Sequence, residues 1–154
     1  MAGKVEQRLA ELGVELPDAP APAANYVPYT ISGNQLIISG QITMGPNGLE
    51  YVAKLGDDAD VATGQAAAKL CAINILAQAK AALGDLDRIT QVLKIQGFVN
   101  STPDFTEHPS VINGASDFLV EVLGDAGKHA RAAVGMGSLP LGVAVEIDAI
   151  IEFA

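Results

Sequence analysis

The apolar positions of this chain change period along its length, and each period announces an element. Val5, Leu9, Leu12 and Val14 recur at near-helical spacing among charged residues, with Gly13 where a helix would stop, which predicts a short amphipathic helix at the edge of the fold. Leu16 to Ala24, LPDAPAPAA, breaks that pattern with prolines that favour an extended tether, so residues 1–24 are expected as a helix and tether appended to the core. Period two follows. Tyr26 to Thr30 and Gln35 to Gln41 are expected as strands around a Ser32-Gly33-Asn34 turn. In QLIISGQ, strict alternation places Leu36, Ile38 and Gly40 on one face and Ile37, Ser39 and Gln41 on the other. After a Pro46-Asn47-Gly48 turn, Leu49 to Lys54 is expected as a third, shorter strand.

Asp57 to Leu83 carries the clearest helical pattern. Asp58 or Asp60 can cap its start, alanines fill its interior, and Gly84 stands at the stop. Ala68, Ala72, Ile75, Ala79 and Leu83 form one apolar stripe whose small side chains allow close approach to a sheet. Arg88 to Val99 is rich in β-branched residues and is expected as a strand, with Gly97 easing a bulge or a close contact. Ser101 to His108 is a polar loop, and Pro109 suits the first turn of a second helix that buries Val111, Ile112, Ala115, Phe118, Leu119 and Val122 and ends at Gly124.

The last stretch, HARAAVGMGSLPLGVAVEIDAIIEFA, is expected as two strands joined by a Gly/Leu/Pro turn. In its final strand Val143, Val145, Ile147, Ala149, Ile151 and Phe153 share one face, and Ala144, Glu146, Asp148, Ile150 and Glu152 the other. This order of elements predicts an α+β single domain over residues 1–154, one sheet with two helices packed on one face. The uncovered face mixes apolar and acidic groups, a pattern suited to a subunit interface or a cleft.

Composition narrows the picture. Aromatic residues make up only 5% and Trp is absent, so the core has to be built from Ala, Val, Ile and Leu. A net charge of -9 repels a phosphate backbone, so a nucleic-acid partner is not expected. The single cysteine, Cys71, excludes an internal disulfide and a cysteine metal cluster; inside an alanine-rich helix it is expected as a small buried hydrophobe. The first residues lack the apolar core of a signal peptide and no membrane-spanning run is expected, so a cytoplasmic location without a membrane partner is the simplest expectation.

Candidate chemistry concentrates in the closing strands, where Arg131 and Glu146 are charged residues in otherwise apolar runs. An uncompensated buried charge costs several kcal/mol, so such an arginine either grips a ligand or pairs with Glu146 or Asp148 across neighbouring strands. His108 and His129 are expected to be solvated or capping residues. No residue set suggests a nucleophilic triad or a metal site.

The motifs ISGQ at Ile38 to Gln41, the helix around Asn113, and Ala130-Arg131 followed by LPLGVAVEIDAI resemble the YjgF-like family of reactive-intermediate deaminases, the Rid family, over about Tyr26 to Phe153. The resemblance implies a chorismate-mutase-like fold with a mixed sheet, assembled as a homotrimer with clefts between adjacent subunits. It implies hydrolysis of 2-imino and 2-enamino acids to 2-oxo acids and ammonia without a metal or cofactor. By that resemblance Arg131 holds the substrate carboxylate, Glu146 places water, and Tyr26 (or its neighbour Tyr29), Ser39, Asn113 and the backbone around Ala133 line the ligand. A non-catalytic protein sensing a small carboxylate in the same cleft is the alternative, and ribonuclease or chaperone-like activity a further one. The N-terminal helix and the STPDFTEHPS loop make the chain longer than compact relatives, as in a divergent subgroup.

Overall fold

The computed structural model describes residues 3–21 and 24–154, so Met1, Ala2 and, within the expected tether, Pro22 and Ala23 lie outside it. The elements run α1 (Lys4–Glu11), β1 (Tyr29–Ser32), β2 (Gln35–Gln41), β3 (Met44–Gly45), β4 (Gly48–Leu49), α2 (Val61–Leu83), β5 (Ile89–Asn100), α3 (His108–Leu123), β6 (Ala130–Met136) and β7 (Val145–Phe153). Five strands form one sheet in the order β1-β2-β7-β5-β6, mixed because β5 and β6 are parallel and the other pairs antiparallel. β3 and β4 make a separate two-residue hairpin.

α2 and α3 cover one face of the sheet, and the core lies between the layers. The expected α2 stripe of Ala68, Ala72, Ile75, Ala79 and Leu83 is buried, as are the six apolar residues expected for α3. Asp60, one of the two candidate caps, accepts the Thr63 amide at 2.8 Å, whereas Asp58 accepts the Lys54 amide at 2.7 Å in the preceding loop. Both helices end on glycines in positive-φ conformations, Gly84 at 79° and Gly124 at 64°, which a side chain would strain. By length and composition α2 could cross a bilayer, yet most of it is buried within the fold, with Asn74 and Gln78 in its interior.

Small residues let these layers approach. A Cβ at Gly97 would meet the Ile112 side chain, so the glycine serves helix–sheet contact, while the irregular register of β5 lies elsewhere, between Ile89 and Gln91 and between Val92 and Lys94. A Cβ at Gly114 would collide with the backbone carbonyl of Gln65, where α3 crosses α2. Ala at position 114 would gain about 1 kcal/mol of helix propensity. Backbone cannot swing aside as a side-chain tip can, so overpacking wins, and Gly114→Ala is expected to lower stability by about 1–2 kcal/mol net. A shift of the urea midpoint to lower denaturant with an unchanged slope checks this.

α1 is docked rather than loose. Leu9 is buried, the Asp87 carboxylate accepts the Lys4 and Val5 amides at 2.9 Å each, Glu6 pairs with Lys80, and Arg8 donates to the Glu121 carbonyl at 2.9 Å. Those two amide bonds hold the Asp87 pKa below its usual value.

Four expectations change. The first strand begins at Tyr29 rather than Tyr26, because Pro28 has no amide to pair and restricts Val27 before it. Leu49 to Lys54 does not form a strand of the sheet: Gly48–Leu49 pairs with Met44–Gly45, Tyr51 turns at φ 52°, and Val52 makes a single antiparallel bridge to Val143. In β2 the register slips between Ile38, opposite Ala149, and Gln41, opposite Ile147. That bulge turns Gln41 into the buried face and aims Gly40 at Glu146 on the open face, the reverse of strict alternation. Finally, the closing strands are not neighbours, because β5 lies between β6 and β7.

Candidate functional site

The bulge in β2 shapes a cleft beside Glu146. With no side chain at Gly40, the Glu146 carboxylate fits against the strand where a Cβ would collide with it. Around this point lies a cleft of about 330 Å³ whose walls include Tyr26, Ser39, Gly40, Glu146 and Leu141, with Gln78 of α2 at its base. Tyr29 lines a different groove, beside Ile37 and Asp148, so Tyr26 is the tyrosine of the cleft.

Electrostatics at the cleft wall favour a carboxylate with a raised proton affinity. Burial pushes the Glu146 pKa up, and the negative charge of Asp148, two residues along the same strand face, adds to it. Asp148 is itself raised by burial, offset in part by the Gln96 backbone and by Lys94. Ser39 donates its hydroxyl to the Val27 carbonyl at 2.7 Å, and its amide bonds the Pro28 carbonyl at 2.9 Å. The serine thus pins the Tyr26–Val27 segment and turns lone pairs, not a proton, to the cleft.

Arg131 does not reach this cleft within one chain. It stands opposite Ile95 in the parallel β5–β6 ladder and projects toward α3, whereas Glu146 projects from the opposite face two strands away, about 10 Å across the sheet. Its Nη1 donates to Ser116 Oγ at 3.0 Å and its Nη2 to the Pro109 carbonyl at 3.1 Å. The ion pair with Glu146 or Asp148 is therefore absent, because the side chains leave opposite faces with β5 between their strands. Asn113 is exposed on α3, at helical spacing between the two residues that Arg131 touches, and Ala133 follows Arg131 on the same face of the edge strand β6.

The six sequence candidates thus fall into two groups: Tyr26, Ser39 and Glu146 at the cleft, and Arg131, Asn113 and Ala133 along the β6–α3 edge. Several site residues were not anticipated. Gln78 donates to the Pro20 carbonyl at 2.7 Å and holds the tether against the cleft; the readable signal was two amides, Asn74 and Gln78, four apart in an otherwise apolar helix. Lys54 ties Asn100 Oδ1 at 2.8 Å to the Gly137 carbonyl at 2.6 Å, fixing the loop that brings Pro140 and Leu141 to the rim. No local sequence signal marks that contact, which joins three distant segments. His129 is half-buried and hydrogen-bonded rather than solvated, and His108 opens α3 with its ring edge against Phe105 and Nε2 3.3 Å from Ser101 Oγ.

Cys71 lies buried with Sγ 3.4 Å from the Val145 carbonyl; burial pushes its thiol far up, so it is a packing residue and not a nucleophile. Among the described residues no group of three or more His, Cys, Asp or Glu could hold a metal ion.

Sheet order, helices on one face, and a cleft at the β2 bulge define a chorismate-mutase-like α+β domain. The family model described as "YjgF/chorismate mutase-like, putative endoribonuclease" matches residues 6–152, and the chain belongs to this YjgF/RidA family. It is 50% identical to protein TCP17 of Trypanosoma cruzi over 152 residues, 98% of this chain and 95% of that protein. The crystal structure of Atu1372 from Agrobacterium tumefaciens, of unknown function, superposes with a TM-score of 0.92 at 56% identity, covering 97% of this chain and 92% of that one. E. coli TdcF, solved with bound serine, matches with a TM-score of 0.65 at 27% identity, covering 89% and 94%.

Proposed function

We propose that the protein hydrolyses reactive 2-imino and 2-enamino acids to 2-oxo acids and ammonia, in clefts shared between adjacent subunits of a homotrimer. The observation that carries this reading is Glu146, a carboxylate of raised pKa in the wall of a small, largely apolar cleft. A partly buried carboxylate of raised proton affinity suits exchange of a proton with a bound water. The separation of Arg131 from Glu146 supports the shared cleft, since β6 of one subunit set against the open face of the next would bring the two groups together. Serine in TdcF, an α-amino acid with one carboxylate, is a ligand of the size and charge the site would take.

In this mechanism the Arg131 guanidinium holds the substrate carboxylate, using N–H donors beyond the two already bound within the chain. Glu146 accepts a proton from a water as its oxygen bonds to the imine carbon, and the imine nitrogen takes up a proton. In the tetrahedral carbinolamine Glu146 then relays the hydroxyl proton to the amine nitrogen, the C–N bond breaks to release ammonia, and the carbon becomes the ketone of the 2-oxo acid. Orientation supplies much of the advantage, because the imine carbon is already electrophilic.

The test couples the purified protein to an amino-acid oxidase that releases an imino acid and follows imine loss. Acceleration is expected, and light scattering is expected to give three times the 15.8 kDa of the chain. If no imine among several disappears faster, while 2-oxo acids still bind saturably, the protein is instead a carboxylate-binding module. An endoribonuclease role, named in the family description, sits poorly with a net charge of -9 and a carboxylate in the cleft.

A further inference from the structure

We infer that Ser116 and His129 are positioning residues that hold the Arg131 guanidinium in a fixed orientation, an inference that rests on the carboxylate-binding role of Arg131 proposed above. Three elements meet here: α3 supplies Ser116, the turn after α3 supplies the Gly127 carbonyl, and the entry to β6 supplies His129 and Arg131. His129 Nδ1 lies 2.6 Å from the Gly127 carbonyl, His129 Nε2 lies 2.8 Å from Ser116 Oγ, and Arg131 Nη1 lies 3.0 Å from the same Oγ.

Donor and acceptor accounting gives this chain one direction. A carbonyl only accepts, so Nδ1 carries the imidazole proton, and in the neutral ring Nε2 is then an acceptor. Ser116 gives its single proton to Nε2 and presents lone pairs to Arg131, which can only donate. The opposite tautomer would set two acceptors against each other at Gly127. The Pro109 carbonyl, 3.1 Å from Nη2, is the second acceptor, so the guanidinium is gripped at two points along α3.

The consequence concerns entropy. An arginine free to rotate must be ordered when a carboxylate binds, whereas one already gripped has lost that freedom on folding and binds at less cost. The network therefore acts through Arg131 and touches no ligand.

The experiment compares wild type with Ser116→Ala, His129→Phe, Ser116→Thr and Arg131→Ala in two measurements. One is the affinity for pyruvate together with kcat and KM for imine hydrolysis; the other is the mobility of the Arg131 side chain, by nitrogen-15 NMR on ligand-free protein. Ser116→Ala and His129→Phe are expected to weaken pyruvate binding about 3- to 10-fold, the loss falling on KM rather than kcat. In both, the Arg131 side chain becomes mobile, and Ser116→Thr, which keeps the hydroxyl, restores rigidity and affinity. An Arg131 side chain as rigid in Ser116→Ala and His129→Phe as in wild type would overturn the inference. So would equal losses in kcat and KM that Ser116→Thr does not repair. If wild type neither binds pyruvate nor hydrolyses imines while the guanidinium still loosens in both variants, the positioning role stands and the carboxylate-binding role of Arg131 fails.

Discussion

Glu146→Gln is expected to lower the rate of imine hydrolysis by about 10²- to 10⁴-fold, the usual contribution of a general base, while leaving 2-oxo acid binding nearly intact. The amide keeps the shape and part of the hydrogen bonding of the carboxylate, so it fits the space that Gly40 leaves, but it cannot take a proton from water. Retained affinity with lost turnover would assign Glu146 to chemistry; equal losses in both would assign it to binding.

The pH dependence carries the same signature. Glu146 must be ionised to act as a base, and burial, then Asp148, raise its pKa above the ordinary 4.5. The acid limb of kcat/KM is therefore expected at a higher pH than a solvent-exposed glutamate would give. Asp148→Asn, which removes the neighbouring charge, is expected to move that limb to lower pH. Stability runs in the matching sense: for a carboxyl group whose folded pKa is raised, the favourable contribution is complete below the unfolded value of 4.5 and is lost as pH rises through the raised folded value. A limb that stays in place in Asp148→Asn would remove Asp148 from the account of the site.

Arg131→Ala is expected to weaken 2-oxo acid binding by about 10- to 100-fold, the loss of a charge-assisted hydrogen-bonded pair. Arg131→Lys restores only part of it, because an ammonium keeps the charge without the planar fork. Titration of pyruvate by calorimetry checks both variants. The fold should tolerate these changes, since Arg131 sits half-buried on an edge strand and both partners it leaves, Ser116 Oγ and the Pro109 carbonyl, can accept from water instead. Affinity unchanged in Arg131→Ala would return the residue to a purely structural role beside α3.

Much of the fold was legible because its signals are local. The alanine stripe of α2, its cap at Asp58 or Asp60 and the Gly84 stop all lie in one continuous segment and are read without reference to any other, and so are Pro109, the apolar set of α3 and Gly124. Side-chain alternation along β7 was equally readable, with Val145, Ile147, Ala149 and Ile151 buried as expected. Motif matching named the candidate residues but not their arrangement. The β2 bulge escaped strict alternation because a register slip depends on the partner strand: two residues separate Ile38 from Gln41, but only Asp148 lies between their opposite numbers, Ala149 and Ile147.

By itself, then, the sequence determined the kinds and order of the helices and the five sheet strands, though not the β3–β4 hairpin, and it determined which faces of α2, α3 and β7 are apolar, and the family, all properties of short periods and motifs. Tertiary structure alone decided that β5 separates β6 from β7, that Gly40 rather than a side chain faces Glu146, and that Arg131 turns to Ser116 instead of to a carboxylate. The reason is physical: strand neighbours and hydrogen-bond partners are chosen between segments dozens of residues apart, by which pairings bury the helix-facing side chains together, and no local period records that choice.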